Sequence, residues 1–550
     1  MVSSTPSGTT PRARVATGSQ NNDRTDHDIA GDDVGDRAFP ARAGRYKWFD
    51  IAGLGVLAIV AVVLRFWTRS PMWLDEALTV NLASQPLHQI PDALRNDGHP
   101  PLYYYLLHGW MNLVGTSNVG IRSLAGIFGL LVVPATWLVG RRVGGRTVAW
   151  SAAVVVAVMP FTIRYSTENR MYSLVMLLAL VGWLCADSAL RRTRALPLIG
   201  LALCTSALLW TQYWAMWLGF AAAMVVIGRL ALALRAGDRA KARASAWVLG
   251  ALGVGAVSFV PWVPTLLYQQ AHTGTPWATR SMPPTVVVNS VEALGGAANA
   301  TDAMGGWYFT VLIVLGLLGV GVASGRIELD LRTRPHSRPL AWVAALTILI
   351  GVASMLASNT AFQPRYNAVW LPFALVIAGI GIATLRGPLV QRGALALVVV
   401  ASAAGGYQNI TMSRTQAAEA AATISQHGRP GDVVVVCPDQ LGPSLTRVLP
   451  SGFDVGSFPT FSDARIVDWS DYVARTESRS PEDFAADLIA RAGDDKRIFV
   501  VWSESYTTHK KLCTQLVTSL TGHRPDNRQI LDAKRMYYES ENVTVFEPST

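Results

Sequence analysis

The chain has 550 residues, 51% hydrophobic and only 15% charged, with a formal net charge of +10. Soluble proteins of this size carry about 25% charged residues, so the composition excludes an ordinary soluble enzyme. The missing charge is confined to a series of long apolar stretches between Trp48 and Tyr407, the signature of an integral membrane protein. The basic excess is no nucleic-acid footprint, because arginines collect in short loops between those stretches, as the positive-inside rule requires.

Residues 1–46 are rich in Ser, Thr, Asp, Gly and Arg and lack apolar periodicity; they read as a disordered cytoplasmic tail. No signal-peptide core with a small-residue cleavage site precedes the first apolar stretch, which is therefore expected to remain as an anchor. Residues 47–408 hold about eleven candidate transmembrane helices, near 48–66, 119–140, 147–163, 171–190, 196–211, 214–234, 246–267, 307–324, 340–357, 366–385 and 393–407. With all eleven real, loops bearing Arg141, Arg191, Arg235, Arg326 and Arg386 fall on the side of the N-terminal tail. That side is then cytoplasmic.

An odd number of spans places residues 409–550 outside the cytoplasm. Their patterning is soluble: Val433–Cys437 and Ile498–Trp502 suit buried strands, residues 481–492 and 507–520 suit helices, and Val543–Phe546 suits a late strand. A small extracytoplasmic α/β domain is expected. Cys437 and Cys513 lie within it, where a disulfide is permitted, although spacing alone does not bring them together. Cys185 and Cys204 fall in apolar spans and read as small hydrophobes.

The first outer loop, 69–115, carries the chemistry-bearing residues. Asp75 and Glu76 follow the first span in Trp73-Leu74-Asp75-Glu76; an isolated pair of this kind would ordinarily start a helix. Farther on comes Asp97-Gly98-His99-Pro100-Pro101-Leu102-Tyr103-Tyr104-Tyr105. The two prolines suit a first helical turn, so the expected helix through Trp110 holds Asp97 and His99 near the membrane surface. A second outer loop contains Arg164, Glu168, Arg170 and Tyr172, and Arg280 and Arg365 are also expected outside. Outer arginines run against the positive-inside rule, and a guanidinium fork matches an anionic phosphate. The stretch 268–306 reads as a long loop, either lid or connector. His88, His108 and His272 show no ligand spacing, and no Gly-rich nucleotide motif is present.

Trp-Leu-Asp-Glu after the first span, Asp-Gly-His-Pro-Pro-Leu-Tyr-Tyr, and Arg122 opening span two together resemble the GT-C glycosyltransferases. The resemblance runs over about residues 48–385 and is to the family of protein O-mannosyltransferases and lipid A aminoarabinose transferases. It implies a polytopic α-helical fold whose site faces outward. Asp75 would be the catalytic base in an inverting displacement, with Glu76 in support and Glu168 as a second acid that positions acceptor or, in some relatives, metal. Donor phosphate would meet Arg365 and Tyr366 of a Pro-Arg-Tyr element, Arg170, Arg164 and Arg280. Asp97, His99, Tyr103 and Tyr172 would contact substrate.

The implied donor is a polyprenyl-phosphate sugar, with mannose the leading choice. The implied acceptor is an envelope glycolipid, lipoglycan or protein. No cofactor is required, with a divalent cation left open. The setting is a bacterial plasma membrane, and the Ala-, Val- and Arg-rich composition resembles that of actinobacterial enzymes. A polytopic transporter or lipid flippase is the competing class, but it would place its ionisable residues near the bilayer midplane.

Overall fold

The computed structural model describes residues 46–274, 281–296, 300–323, 326–333, 337–358, 360–385, 387–506 and 508–548. The tail 1–45 and Arg280 lie outside the described residues.

The N-terminal two thirds is helical. In chain order it comprises α1 (Tyr46–Phe66), α2 (Leu74–Ala83), α3 (Ile90–Arg95), α4 (Leu102–Val114), α5 (Asn118–Val158), α6 (Pro160–Thr167), α7 (Tyr172–Arg191), α8 (Ala195–Leu209) and α9 (Ala215–Arg235). Next come α10 (Arg239–Val257), α11 (Val263–His272), α12 (Pro283–Gly295) and α13 (Ala300–Leu317). A hairpin of β1 (Leu318–Ala323) and β2 (Arg326–Thr333) precedes α14 (Arg338–Ser358), α15 (Leu371–Thr384) and α16 (Pro388–Thr411). Each expected span carries helix. Among the described residues six helical stretches are long and apolar enough to cross a membrane: 118–158, 172–191, 215–235, 239–272, 338–358 and 388–411. The chain is a multi-pass membrane protein.

Two expectations need correction. The span expected at 307–324 stops as a helix at Leu317 and continues as β1, where Gly319 and Gly321 interrupt a β-branched run. The stretch 268–306 is not a structureless loop. It holds α12, which begins on Pro283 and buries Val286, Val291 and Leu294. Longest of the helices, α5 is really two arms, because Gly144 and Gly145 leave helical geometry (φ −147°, then φ 77°). At the far end of its second arm, Arg65 of α1 donates to the carbonyls of Val156 and Ala157 at 3.1 and 3.0 Å. A cation there answers the unpaired carbonyls that close a helix.

The C-terminal part is a three-layer α/β domain. Its elements are α17 (Ala417–His427), β3 (Val433–Cys437), α18 (Gly442–Val448), β4 (Asp454–Ser457), α19 (Tyr472–Thr476), α20 (Pro481–Ala492), β5 (Ile498–Trp502), α21 (Lys510–His523), β6 (Asn527–Leu531) and β7 (Asn542–Phe546). The sheet order is β4-β3-β5-β7-β6, with β4, β3 and β5 parallel and the last two strands antiparallel additions. Strands β3 and β5 are buried on both faces, which explains their unbroken apolar runs. Val433 and Val435 meet α20 and α21 through Phe484, Leu488 and Leu516. Val434 and Val436 meet α17 and α18 through Ile424 and Leu445.

Cys437 ends β3 and is joined to Cys513 of α21 across 76 residues of sequence. Cys185 and Cys204 are free. Replacing Cys437 and Cys513 together by Ala is expected to lower the domain's stability by about 4 kcal/mol, the loop-closure term for a loop of this length. Urea titration read by limited proteolysis checks this, and an unshifted midpoint contradicts it.

Candidate active site

A cavity of about 1390 Å³ opens where the helix ends meet the C-terminal domain. Its wall draws on the loop after α1, the α3–α4 loop, the α6–α7 loop, the segment before α15, and the C-terminal domain. These loops and the domain therefore lie on one side of the membrane region.

Asp75 reaches this wall through helix α2, which starts behind an extended Trp73 with no side-chain cap of its own. Two acids in the first turn suit the positive end of the helix. The missing cap comes from far away in sequence: the Leu74 N–H donates to Glu539 Oε1 at 2.5 Å. Arg365, on a 3₁₀ turn Pro364–Val369, donates through Nη1 to Asp75 Oδ2. Burial pushes the Asp75 pKa up, but the guanidinium groups of Arg365 and Arg170 outweigh it and hold the carboxyl below its ordinary value. Asp75 is a carboxylate.

Arg170 stands beside the pair. Its Nη1 donates to Thr79 Oγ1 at 2.6 Å and to the Asp75 carbonyl at 3.3 Å. Its Nη2 lies 3.0 Å from His99 Nε2, and His99 Nδ1 lies 2.9 Å from Asp97 Oδ2. Since guanidinium can only donate and carboxylate only accept, the hydrogen-bond chain fits imidazole protonated on Nδ1 and accepting on Nε2. Tyr104 completes it by donating to Asp97 at 2.9 Å. Burial raises the Asp97 pKa; His99 and Arg170 overcome this and keep it low. The prolines do what their position requires, since α4 starts directly after Pro101. Gly98 has φ +84°, and a Cβ there would sit 3.2 Å from Thr273 Oγ1, so glycine suits both the turn and the close approach.

Glu76 departs from the catalytic expectation. It is fully buried and takes a bidentate pair from Arg122 at 2.7 and 2.6 Å, plus the Asn169 N–H at 2.9 Å. Arg122 also donates to the Ser70 carbonyl at 2.7 Å. Glu76 is off the cavity wall and ties the first loop, α5 and the α6–α7 loop together. The physical reason is helical phase: consecutive residues project about 100° apart, so only one of the two acids faces the cavity. Tyr103 is likewise buried behind the wall, where it donates to Asn169 Oδ1 at 3.0 Å. Tyr172 is buried off the wall as well, packed edge-on against Tyr165.

Glu168 does line the cavity, and it accepts from Arg414 Nη1 at 2.9 Å with Arg164 at 3.9 Å. Burial raises its pKa even against those two cations. Tyr366 stacks on Trp214 with ring centroids 4.9 Å apart, beside Arg365. Arg164 also lines the wall, with its guanidinium 5.6 Å from the Tyr538 ring centroid. Among the described residues no three His, Cys, Asp or Glu side chains converge as a metal ion would require. His108 bonds the Ala83 carbonyl at 2.8 Å, and His272 pairs with Asp471 at 3.0 Å; His88 lies beside Gln89.

Sequence reading missed the C-terminal contributions. Arg414, Gln440, Tyr538 and Glu539 lie in no motif, and only the folded domain brings them to the loops. Glu539 is buried, which pushes its pKa up to about 8 from an ordinary 4.5. An acid with a raised folded-state pKa contributes most stability below its unfolded value. That contribution fades as pH climbs through the folded value. The melting temperature is therefore expected to fall between pH 5 and pH 8.5 (about those bounds). In Glu539→Gln, which keeps an oxygen for the Leu74 N–H, the fall should be shallower; an equal slope contradicts the assignment. A separate expectation concerns the clamp: Glu76→Ala strands a buried Arg122 and should destabilise the membrane region by about 3–5 kcal/mol. Thermal unfolding of the purified protein measures it, and a wild-type melting point would exclude the clamp.

The family model described as dolichyl-phosphate-mannose-protein mannosyltransferase matches residues 98–264. A search of curated sequences finds no match. Among solved structures, ArnT from Cupriavidus metallidurans bound to undecaprenyl phosphate aligns at TM-score 0.54 and 13% identity, over 91% of this chain and 98% of that one. Its apo state aligns at 0.55 and 13% identity, over 90% and 98%. An oligosaccharyltransferase from Archaeoglobus fulgidus tethered to an acceptor peptide aligns at 0.49 and 12% identity, over 85% and 72%.

Proposed function

We propose that this chain, whose fold is that of the GT-C membrane glycosyltransferases, is an inverting glycosyltransferase using a polyprenyl-phosphate sugar. The observation that carries the reading is a half-buried carboxylate, Asp75, facing a large cavity with two guanidinium groups beside it. The undecaprenyl phosphate bound by the structural neighbour and the mannosyl-phosphate family model support the donor class. Mannose is the proposed sugar, and an envelope glycolipid, lipoglycan or protein the proposed acceptor. The site faces the outside of a bacterial plasma membrane, with the α/β domain on that side.

The reaction is a single displacement. The acceptor oxygen forms a bond to the anomeric carbon as the bond from that carbon to the phosphate oxygen breaks. The acceptor proton passes to Asp75, and the electron pair leaves with the polyprenyl phosphate. Arg365 and Arg170 stabilise the charge that develops there. A carboxylate paired to Arg365 is a weak base, since ionised partners lower its proton affinity. The donor phosphate removes this difficulty by competing for Arg365: as the guanidinium turns toward phosphate, Asp75 gains basicity when the acceptor is in place. Glu168, held by Arg414 and Arg164, orients the α6–α7 loop and its Arg170. Asp97 and His99 hold Arg170 in turn and contact substrate at the cavity edge.

Asp75→Asn keeps the shape and loses the base, so transfer from decaprenyl-phosphomannose should fall by roughly 10²–10⁴. A full rate in that variant removes Asp75 from the chemistry. Arg365→Ala should raise the donor KM more than the acceptor KM, and an unchanged donor dependence would contradict the phosphate role. Because Arg365 pairs with Asp75 only before donor binds, the acid limb of kcat should lie at higher pH than that of kcat/KM. Coincident limbs would exclude the exchange.

A further inference from the structure

The cavity has two chemically distinct walls. One is built from membrane helices and the turn that carries Arg365: Trp214, Met216, Trp217, Gly351, Met355 and Tyr366. The other belongs to the C-terminal domain and includes Gln440, Trp469, Tyr472 and Tyr506. An apolar polyprenyl chain is matched by the first wall. The second has no membrane-spanning element in it.

Gln440 is fully buried on this second wall, and among the described residues neither its amide oxygen nor its amide nitrogen has a hydrogen-bond partner. Buried amides are ordinarily paired, and a primary amide offers both donors and an acceptor. Its surroundings are fixed. Neighbouring Asp439 accepts from Tyr472 Oη at 2.5 Å, and Trp469 lies against Tyr472 with ring centroids 5.0 Å apart. The Trp469 N–H donates to the Asn96 carbonyl at 3.0 Å, which seats this aromatic pair on the loop bearing Asp97 and His99. Helix α18, which follows Gln440, packs on α2, the helix of Asp75. The unpaired amide and the aromatic pair are thus anchored to the two elements that carry the acidic groups of the site.

We propose that this wall is a saccharide subsite for the acceptor, in which Gln440 hydrogen-bonds acceptor hydroxyls and the half-buried Trp469, backed by the buried Tyr472, presents its aromatic face to the sugar. It rests on the glycosyltransferase reading and narrows the acceptor from glycolipid, lipoglycan or protein to a glycan-bearing one. A hydroxyl both donates and accepts, and so answers both halves of the orphaned amide. An aromatic face suits the less polar face of a pyranose. A Ser or Thr side chain would offer a single hydroxyl and leave the Trp469 ring uncovered.

The test uses full-length Asp75→Asn protein, methyl α-mannobioside and a Ser/Thr-containing peptide, with binding followed by saturation-transfer NMR. Because the Gln440 amide has no partner among the described residues, Gln440→Leu removes no hydrogen bond seen there, and its melting temperature should match or exceed the parent's. In that background the glycoside dissociation constant should rise roughly tenfold or more. In otherwise wild-type protein the same change should raise the acceptor KM and leave the donor KM within about twofold. A glycoside that does not bind the parent, that binds Gln440→Leu equally well, or that is outcompeted by the peptide overturns the subsite. So does a clear loss of thermal stability in Gln440→Leu, which would mark the amide as structural. Glycoside binding that depends on Gln440 without any transfer from decaprenyl-phosphomannose would instead overturn the glycosyltransferase reading and leave a saccharide site standing.

Discussion

Asp75 is held ionised by neighbouring cations against the upward push of burial, and the rest of the site is arranged around that pairing. Arg365 pairs with its carboxylate and Arg170 stands beside it, donating to its backbone carbonyl, with His99 and Asp97 linked behind Arg170. A buried charge without such partners would give up its ionisation. The same guanidinium groups have the fork geometry that suits a phosphate, and in the proposed reaction one set of cations serves two anions in succession. In the proposed reaction this dual use accounts for arginines in loops expected on the outer side, against the charge bias of a membrane protein.

The membrane region does not finish the site alone. Glu539 caps the helix of Asp75, Arg414 pairs with Glu168, and Tyr538 packs toward Trp73 and Arg164. All three come from the α/β domain or the segment leading into it. Helix α18 packs on α2, and Arg447 reaches back to Asn118 at 3.2 Å. Hydrogen bonds from one unit to the first-turn donors of another fix orientation as well as distance. The domain is therefore a structural wall of the cavity, and its disulfide ties the end of β3 to α21.

Much of this was legible in the sequence, for reasons that differ by element. Apolar stretches long enough to span a bilayer announce themselves by composition, and each of them carries helix. Strands β3 and β5 were legible because burial on both faces leaves an unbroken valine-rich run. The first-loop acids and Arg365 were legible because charge at the edge of an apolar segment is rare. Three things were not. Gly144 and Gly145 divide α5 by backbone angles, and the hairpin after Leu317 follows local β-propensity that apolar counting ignores. The roles of Glu76 and Asp75 part company only when the helix phase is known, since adjacent acids look equivalent on paper. Glu539 and Gln440 reach the cavity through tertiary docking, for which no local pattern exists.

The proposed reaction requires Arg365 to change partners when a lipid-linked phosphate arrives. Cryo-electron microscopy of the full-length protein in nanodiscs with bound decaprenyl phosphate would observe this directly. The expected density places the phosphate against the Arg365 and Arg170 guanidinium groups, with Asp75 released and facing the open cavity. A phosphate bound elsewhere, while Arg365 remains paired to Asp75, would contradict it.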